Sequence, residues 1–599
     1  MKPCLKNCAG LLLVVAALSG VGSFTLSAAT LTVSPSVVSN TYPGVITLQI
    51  GGLTNGEQVI IQKWLDGNAN GSIDASEPVI DIFKITDNNI TSALIGGITN
   101  LNVPFDLNSA TGAITTTLNF PEAVTLENMV GHYVFQVVSP SGRFSPVTAT
   151  FVVTNATLSQ SISGIIYSNG VTPLPYAVVV AQDQQKNNPV AAVVADSNGH
   201  FFLTLPPSSY FLVAGMPNFY QDQSQAPSVI LTNGMAATNN LSLTNGAVTI
   251  YGNVYDAANS NGIGGLLLTL KSGSLFAIAF TDTNGNYSAA VSPSFWKIQP
   301  AKQRLARRAY VLPGATFQVN ATGGNVTNAN IALPKGTALF YGRITDNSNT
   351  PYANIEFDGS LGNSYNAKGY SDANGNYAVA VLGDNTNYWN CSANSGKNSS
   401  LANFIINSPN SVTLSNNQAV LENFIALPAT AQISGHVQDN VGTNVVGVGL
   451  MATANIGGSY YQSLTRTTDN SGNYSLAVAS GLWSVQFNTG NFSDSLDTHG
   501  YVDLFTPHYV SIPPTNATLN VTVYPLGTPL LTSPHRISST QFGFTLNGAT
   551  NVSYTVQLST NLAATNWSSI FSLTLTNNSF PVVDVNVTNS PRFYRVLKN

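Results

Sequence analysis

Charged residues are scarce in this chain. Only 8% of its 599 residues are Asp, Glu, Lys or Arg, against about 25% in average proteins. The formal net charge of −5 gives no reason to expect nucleic acid or an anionic membrane surface as a partner. A hydrophobic fraction of 43% is enough to build folded cores. We therefore expect a folded protein whose solubility depends on Asn, Ser and Thr.

Cysteine is nearly absent, and two of the three cysteines, Cys4 and Cys8, fall within the first 29 residues. That segment combines basic residues, an apolar run and small residues before a cleavage point, as an export signal does. Its features are Lys2, Lys6, Ala9–Leu18 and Ser27–Ala29. Cleavage leaves Cys391 alone, so no internal disulfide can form. We expect a secreted or cell-surface bacterial protein without a stable membrane span after cleavage; an uncleaved anchor is the alternative.

Residues arranged for catalysis are also missing from the sequence. The six histidines are scattered, and none begins a His-x-x-Glu or His-Glu-x-x-His element. Glu122 and Glu127 are five residues apart and resemble a glycosidase pair, but such a pair needs an aromatic cleft around it. No Gly-rich phosphate loop follows a strand. We expect a protein that is not an enzyme, with Glu122 and Glu127 as surface carboxylates.

The chain contains many short runs of Val, Ile, Thr, Tyr and Phe separated by Asn-Gly, Asp-x-Asn-Gly and Pro. Short runs of β-forming residues separated by turn residues are typical of an all-β protein. One turn phrase occurs four times, and its aspartates are 86, 90 and 97 residues apart, which is the size of a small domain. The four copies are Asp196–Phe201, Asp282–Tyr287, Asp372–Tyr377 and Asp469–Tyr474. Each copy follows a glycine between apolar or β-branched residues, namely Gly164, Gly252, Gly342 and Gly435.

Two landmarks at a nearly fixed offset indicate a tandem array of one module. In the second copy, alternating segments predict strands at 248–255, 265–270, 275–281, 287–291, 295–299 and 329–333. The Asp and Asn side chains of the repeated turn suit it because they bond to nearby backbone amides. About seven strands in ~90 residues predict an antiparallel β-sandwich. The fold class is therefore all-β, a tandem array of antiparallel β-sandwich domains.

The order of these elements resembles the carboxypeptidase regulatory-like domain, which has a transthyretin-like fold and belongs to the carbohydrate-binding-like sandwiches. The resemblance covers residues 158–526, with Ser471-Gly472 in place of Asn-Gly in copy four and His200 in place of Asn in copy one. In that family the module is an accessory or spacer beside peptidases, receptors and surface proteins. The resemblance therefore implies a fold and an accessory role, and no catalytic residues.

The repeats divide the chain into seven predicted parts. These are a signal peptide (1–29), a first domain with a calcium-loop motif (30–157), repeat 1 (158–246), repeat 2 (247–335), repeat 3 (336–429), repeat 4 (430–526) and a terminal domain (527–599). The terminal domain contains predicted strands at 541–546, 553–558, 567–571 and 593–596, and in these segments it resembles the fibronectin-like terminal domain of secreted bacterial proteins. Linkers between repeats are close to zero in length, so we expect an elongated array.

The first domain contains a twelve-residue pattern, residues 66–77, that matches a calcium loop. The predicted ligands are Asp66, Asn68, Asn70, Ser72 through its carbonyl, Asp74 and Glu77. The flanking segments 58–64 and 79–83 alternate like strands. Three carboxylates predict a structural calcium ion with a dissociation constant of about 10⁻⁴–10⁻³ M. An Asn/Gly-rich hairpin loop without an ion is the alternative. The four repeated turns offer too few oxygens for calcium.

Two further groups of residues stand out. The first holds 5 of the 21 basic residues, Lys297, Lys302, Arg304, Arg307 and Arg308. We expect a solvated loop there; a grip on an anionic glycan and a dibasic cleavage site are the alternatives. The second group is a set of loop aromatics: Tyr365, Tyr388, Trp389, Tyr460 and Tyr461. Such residues stack on sugars or cover a sandwich edge, and we expect the latter.

These observations favour an exported, non-enzymatic, modular surface or spacer protein with an adhesive or display role. The alternatives are a carbohydrate-binding protein and an accessory module of a polysaccharide-degrading system. The expected partners are a polysaccharide or another surface protein.

Overall fold

The computed structural model describes most of the chain from residue 28 onward. The described ranges are 28–89, 94–120, 128–184, 188–315, 317–394, 401, 403–490, 492–513, 515–548, 550–563, 565–577, 579–587 and 591–599. Nearly all of the predicted signal peptide lies outside these ranges, as do Glu122 and Glu127.

Strands dominate the described residues, which confirms the all-β, antiparallel sandwich prediction. The helical elements in this part of the chain are α1 (Lys302–Ala306) and one 3-10 turn (Gln223–Gln225). No helix among the described residues is long and apolar enough to cross a membrane.

The first domain is a sandwich of a three-stranded sheet, β1-β3-β8, and a five-stranded sheet, β2-β10-β9-β4-β5. Its strands are β1 (Thr30–Ser34), β2 (Val37–Ser39), β3 (Val45–Gly51), β4 (Gln58–Asp66), β5 (Val79–Thr86), β6 (Leu94–Ile95), β7 (Ile98–Thr99), β8 (Ile114–Asn119), β9 (Gly131–Val138) and β10 (Val147–Thr154). Burial alternates along β3, so Ile46, Leu48 and Ile50 point into the core and pack near Phe135 and Phe151.

The four repeats have matching strands. Repeat 1 contains β11 (Ser161–Ser168), β12 (Thr172–Pro173), β13 (Val178–Asp183), β14 (Asn188–Val194), β15 (His200–Thr204), β16 (Ser208–Gly215), β17 (Phe219–Asp222), β18 (Ser228–Leu231), β19 (Ala236–Thr238) and β20 (Leu241–Asn245). Repeat 2 contains β21 (Val248–Asp256), β22 (Leu267–Ser272), β23 (Leu275–Phe280), β24 (Asn286–Val291), β25 (Phe295–Pro300), β26 (Leu312–Pro313), β27 (Phe317–Asn320) and β28 (Ile331–Leu333).

Repeats 3 and 4 continue this order. Repeat 3 contains β29 (Ala338–Asp346), β30 (Glu356–Leu361), β31 (Tyr365–Tyr370), β32 (Asn376–Val381), β33 (Tyr388–Ala393), β34 (Phe404–Asn407), β35 (Val412–Thr413), β36 (Ala419–Leu421) and β37 (Phe424–Pro428). Repeat 4 contains β38 (Ala431–Asp439), β39 (Gly449–Ile456), β40 (Ser459–Gln462), β41 (Arg466–Thr467), β42 (Asn473–Val478), β43 (Gly481–Phe487), β44 (Tyr501–Val502), β45 (His508–Ile512), β46 (Ala517–Thr518) and β47 (Val521–Pro525).

All four repeats share one topology. A three-stranded layer has the repeat's first strand at its centre: β15-β11-β20, β24-β21-β28, β32-β29-β37 and β42-β38-β47. A four-stranded layer faces it: β14-β13-β16-β18, β23-β22-β25-β27, β31-β30-β33-β35 and β40-β39-β43-β45. The last strand of the three-stranded layer runs parallel to the first, and most other neighbours are antiparallel.

The repeated glycine and the repeated aromatic residue meet at one backbone carbonyl. In repeat 2, a Cβ on Gly252 would lie 2.1 Å from the carbonyl oxygen of Ala329. The hydroxyl of Tyr287 donates to the same oxygen at 2.5 Å. The equivalent sets are Gly342, Glu422 and Tyr377 in repeat 3, and Gly435, Leu519 and Tyr474 in repeat 4. Glycine is required because any side chain would collide with this crossing strand.

The repeated aspartate organises its turn in every repeat. In repeat 2, Oδ1 of Asp282 accepts hydrogen bonds from the backbone N–H groups of Asn284 and Asn286, at 2.8 and 2.9 Å. Gly285 has φ +81°, which L side chains rarely adopt. Asp196, Asp372 and Asp469 make the same pair of bonds in the other repeats. This is the predicted Asx-type turn.

Neighbouring repeats are joined by strand pairing. β17 of repeat 1 lies between β20 of its own repeat and β23 of repeat 2. In the same way, β34 of repeat 3 lies between β37 of its own repeat and β40 of repeat 4. β26 of repeat 2 pairs with β31 of repeat 3. The sheets therefore run on from one sandwich to the next.

The first domain contacts three repeats. Val130 bridges to Val193 in repeat 1, and Asn102 accepts from the N–H of Tyr370 in repeat 3 at 2.9 Å. The side chain of Asp81 reaches arginines of repeat 2. The first domain therefore lies alongside repeats 1 to 3 and does not contact repeat 1 alone, and the expected elongated array stays a prediction.

The terminal domain has its own two sheets, β48-β49-β52 and β51-β50-β53. Its strands are β48 (Leu530–Arg536), β49 (Phe542–Asn547), β50 (Ser553–Ser559), β51 (Ser568–Thr574), β52 (Ser579–Asp584) and β53 (Phe593–Lys598). The core between the sheets includes Phe544, Leu546, Tyr554 and Val556.

Candidate metal centre

The predicted calcium loop connects β4 to β5, as its strand-like flanks indicated. Asp66 is the last residue of β4 and lies opposite His132 in the register with β9. It is 4% exposed, so it is buried at the end of β4. The first ligand position of the pattern therefore lies at the end of a strand that pairs with both β5 and β9.

The carboxylate of Asp66 folds the loop back on itself. Its Oδ1 accepts from the N–H of Asn70 at 3.1 Å, and its Oδ2 accepts from the N–H of Gly71 at 2.9 Å. Gly71 has φ +74° and supplies the sharp turn that the pattern requires. Asn70 Oδ1 in turn accepts from the N–H of Ser72 at 2.7 Å. These bonds fold residues 66–72 into a tight turn.

Asp74 and Glu77 close this arrangement. Oδ2 of Asp74 accepts from the side-chain amides of Asn68 and Asn70, at 2.6 and 3.0 Å. Oε1 of Glu77 accepts from the N–H of Gly67 at 2.9 Å, and Oε2 accepts from the N–H of Asp74 at 3.0 Å. All six predicted ligand residues therefore belong to one hydrogen-bonded loop.

The electrostatics of the loop suit a cation. Burial raises the pKa of Glu77, and the nearby carboxylates of Asp66 and Asp74 add to this rise, although backbone N–H groups of Asp74 and Gly67 oppose it. A bound cation would lower the mutual repulsion of these carboxylates.

The donor set decides which metal fits. Within the described residues, no three His, Cys, Asp or Glu side chains lie close enough together to hold a metal ion by themselves. A site here therefore also needs the Asn68 and Asn70 amide oxygens and the Ser72 carbonyl. Such hard oxygen ligands suit calcium and do not suit zinc or copper. The residues fit calcium, and the assignment of a calcium ion stays a prediction.

The loop lies beside repeat 1. A Cβ on Gly67 would lie 3.1 Å from the ring of Tyr176, so the loop backbone rests on this aromatic residue. An open cleft of about 1000 Å³ separates the first domain from repeat 1 and is lined by Asp66, Asn68, His132, Tyr176, His200 and Phe202, among others. An ion bound in the loop would therefore stiffen a wall of this cleft.

A second charged site, which sequence analysis did not find, joins the first domain to repeat 2. Asp81 on β5 is 1% exposed and lies against three arginines of repeat 2. Its Oδ1 lies 3.0 Å from Nη2 of Arg308, its Oδ2 pairs with Arg307, and Nη1 of Arg304 is 3.9 Å away. We call these four residues the Asp81 cluster.

The Asp81 cluster corrects the interpretation of the basic segment. The predicted solvated loop is wrong for Arg304, Arg307 and Arg308, because α1 and the turn after it press them against the first domain, where Arg304 is 3% exposed. Burial alone would raise the pKa of Asp81, but the guanidinium groups of Arg307, Arg308 and Arg304 hold it well below its usual range. The one feature of the sequence that could have indicated this cluster is the high density of basic residues in a chain with few charges.

The interpretation of the loop aromatics also needs correction. Trp389 is fully buried and Tyr461 is 3% exposed, so both belong to sandwich cores. Tyr388 and Tyr460 are exposed. Trp389 and Tyr461 therefore offer no surface for stacking on a sugar.

Comparison with known proteins adds little to this picture. No family model matches the chain, and no curated protein matches it. Among solved structures, the Bacillus anthracis TIE protein shares 10% identity over 83% of this chain and 74% of its own, with a TM-score of 0.15. A streptococcal ancillary pilin shares 13% identity over 46% and 98%, with a TM-score of 0.15.

The major pilin subunit BcpA of Bacillus cereus shares 10% identity over 61% of this chain and 99% of its own, with a TM-score of 0.14. TM-scores at this level do not indicate a shared overall fold. The resemblance to the regulatory-like domain therefore still rests on the repeated motif and its strand order.

Proposed function

We propose that this protein is an exported, non-enzymatic scaffold that holds its modules in a fixed arrangement on or outside a bacterial cell, in an adhesive or display role. The observation that carries this proposal is the strand pairing between repeats. β17, β26 and β34 each leave one sandwich and pair with a strand of the next. Main-chain pairing removes the hinge that a flexible linker would give.

Two other features support a scaffold. The Asp81 cluster ties the first domain to repeat 2, and the Asn102–Tyr370 bond ties it to repeat 3. The calcium ion proposed for residues 66–77 would act as a structural ion at the joint with repeat 1. Each of these contacts restrains one module relative to another.

The experiment combines location with binding. Antibodies against the chain should label intact producing cells, and deleting the chain should reduce attachment of those cells to a surface or to other cells. A matched variant with a Gly-Ser insertion between Lys335 and Gly336, at the boundary of repeats 2 and 3, keeps every module but loosens their arrangement. It should reach the surface and support attachment less well.

Other results would contradict the proposal. Labelling only after cell lysis would rule out an exported scaffold. Tight binding of the purified chain to one polysaccharide on a glycan array, unchanged by the insertion, would favour the carbohydrate-binding alternative.

A further inference from the structure

Each repeat carries one strand that leads out of its sandwich. These junction strands are β17, β26, β34 and β44. In the sequence, each junction strand comes after the two central strands of its repeat's four-stranded layer. In space, it lies beside the end of the last strand of its own repeat. In β17 and β34, one edge faces that last strand and the other edge faces the next repeat.

The register of this arrangement is the same in repeats 3 and 4. Phe404 of β34 lies opposite Pro428, and Ile405 lies opposite Leu427. In repeat 4, Tyr501 of β44 lies opposite Pro525, and Val502 lies opposite Tyr524. β44 therefore occupies the same place in its sandwich as β34.

The outer edge of β44 differs from the others because it has no partner strand in the described part of the chain. In repeat 3, Ile406 and Asn407 pair with Gln462 and Tyr461 of the next repeat. The corresponding residues of repeat 4, Asp503 and Leu504, lie just beyond the end of β44, where the N–H of Phe505 donates to Oδ1 of Asp503 at 3.0 Å. The terminal domain that follows pairs its strands only among themselves. β44 is the end strand of its sheet.

The matching receiving strands within the chain are already occupied. β23, β31 and β40 receive the junction strands of the preceding repeats. In repeat 1, Val130 of the first domain covers the receiving strand β14 through one parallel bridge to Val193: its N–H donates to the carbonyl of Ala192 at 2.8 Å and its carbonyl accepts from the N–H of Val194 at 2.9 Å. Among the described residues, a second copy of the chain therefore offers β44 no receiving strand that is still without a partner.

Apolar side chains flank the open edge. Phe505 lies three residues after the end of β44 and is 54% exposed, and its ring centroid is 6.1 Å from that of Tyr524. Leu526, whose N–H donates to the carbonyl of Gly500 just before β44, is 51% exposed. An unprotected strand edge beside exposed apolar residues is a surface that natural proteins normally cover.

We propose that the outer edge of β44 binds an edge β-strand from a sandwich module of a different protein, in the antiparallel register that β34 uses with β40. Recognition would come from main-chain hydrogen bonds, as in other cases of β-strand addition. The inference rests on the proposed scaffold function and deepens it, because it identifies where the scaffold meets its partner and what kind of surface the partner presents.

The test uses the full chain and a peptide that copies residues 458–465, which include β40. Leu504→Cys in the protein should form a disulfide with a peptide carrying cysteine at the position of Tyr461. A peptide carrying cysteine at the position of Gln462 should react at least tenfold less, because neighbouring strand residues point to opposite faces. Cys4 and Cys8 are changed to Ser throughout, and Cys391 is buried.

Tyr509→Cys is the matched control, since Tyr509 is an exposed residue on β45, an edge strand of the other sheet of repeat 4. Equal trapping by Leu504→Cys and Tyr509→Cys, or no preference between the two peptides, would overturn the proposal. Disulfide-linked dimers of Leu504→Cys without peptide would overturn the choice of a different protein as partner. None of these results changes the pairing between repeats, so the scaffold function would be judged separately.

Discussion

Oδ1 of Asp81 in the first domain lies 3.0 Å from Nη2 of Arg308 in repeat 2, although 227 residues separate them in the chain. Arg307 pairs with the other oxygen of the same carboxylate. One buried acid thus fixes the position of two modules.

Asp81→Asn should destabilise the chain strongly, because it removes the buried carboxylate that pairs with Arg307 and Arg308. Removing one partner of a buried pair costs about 3–5 kcal/mol. Thermal unfolding should show a lower melting temperature, and protease should cut between the first domain and repeat 2 more readily. Replacing Asp81 with Leu together with Arg304, Arg307 and Arg308 with Met should recover much of the stability. An unchanged melting temperature for Asp81→Asn would contradict this account of the joint.

Gly252→Ala should destabilise repeat 2, because the new Cβ would lie 2.1 Å from the carbonyl oxygen of Ala329 and the crossing strand must move. We expect a loss of about 1–3 kcal/mol in the free energy of unfolding, as for overpacked cores. Gly323→Ala is the matched control, since a Cβ there meets nothing within 4 Å. Chemical denaturation of both variants measures the difference; equal stability would show that the carbonyl does not require glycine.

Glu422 makes the stability of repeat 3 depend on pH. Burial raises the pKa of this carboxyl from its ordinary 4.5 to about 7, and its Oε2 has no hydrogen-bond partner among the described residues. The folded chain therefore keeps a proton that the unfolded chain releases, and stability falls as pH rises from about 4.5 to about 7. Glu422→Gln should raise the free energy of unfolding by about 1 kcal/mol or more at pH 8.

The same variant provides its own control at pH 4.5, where the wild-type carboxyl of Glu422 holds its proton when folded. The two proteins should then unfold at nearly the same denaturant concentration. A difference that is as large at pH 4.5 as at pH 8 would show that titration of Glu422 is not its cause.

Calcium should raise the melting temperature of the first domain in the full chain, because Asp66, Asp74 and Glu77 repel one another when no cation lies between them. Asp66→Ala combined with Glu77→Gln should abolish the shift. Asp282→Ala, which removes a repeated-turn carboxylate, should lower stability but leave the calcium-dependent shift intact. A shift that survives the double variant would place calcium elsewhere.

Local signals made much of the fold predictable. The strand alternation around Gly252, the aspartate at position 282 and the glycine at 285 each act over a few residues, so the sequence specifies them directly. The strand flanks of the calcium loop were predictable for the same reason.

Long-range pairing was not predictable in this way. Nothing near Asp81 in the sequence indicates arginines 226 and 227 residues away, and nothing near β17 indicates that β23 lies beside it. The burial of Trp389 could have been predicted. Along β33, Tyr388 is exposed while Trp389 and Cys391 are buried, and the alternation of side chains between the two faces of a strand places Trp389 on the core face.

The central claim is that strand pairing joins the repeats into one body, and amide hydrogen exchange of the full chain tests it most directly. Backbone amides of β17 and β34 should exchange as slowly as those in the centre of their sandwiches, while residues 501–504 around the open edge of β44 should exchange faster. Exchange in β17 and β34 as fast as in 501–504 would show that neighbouring repeats are not paired and would contradict the account.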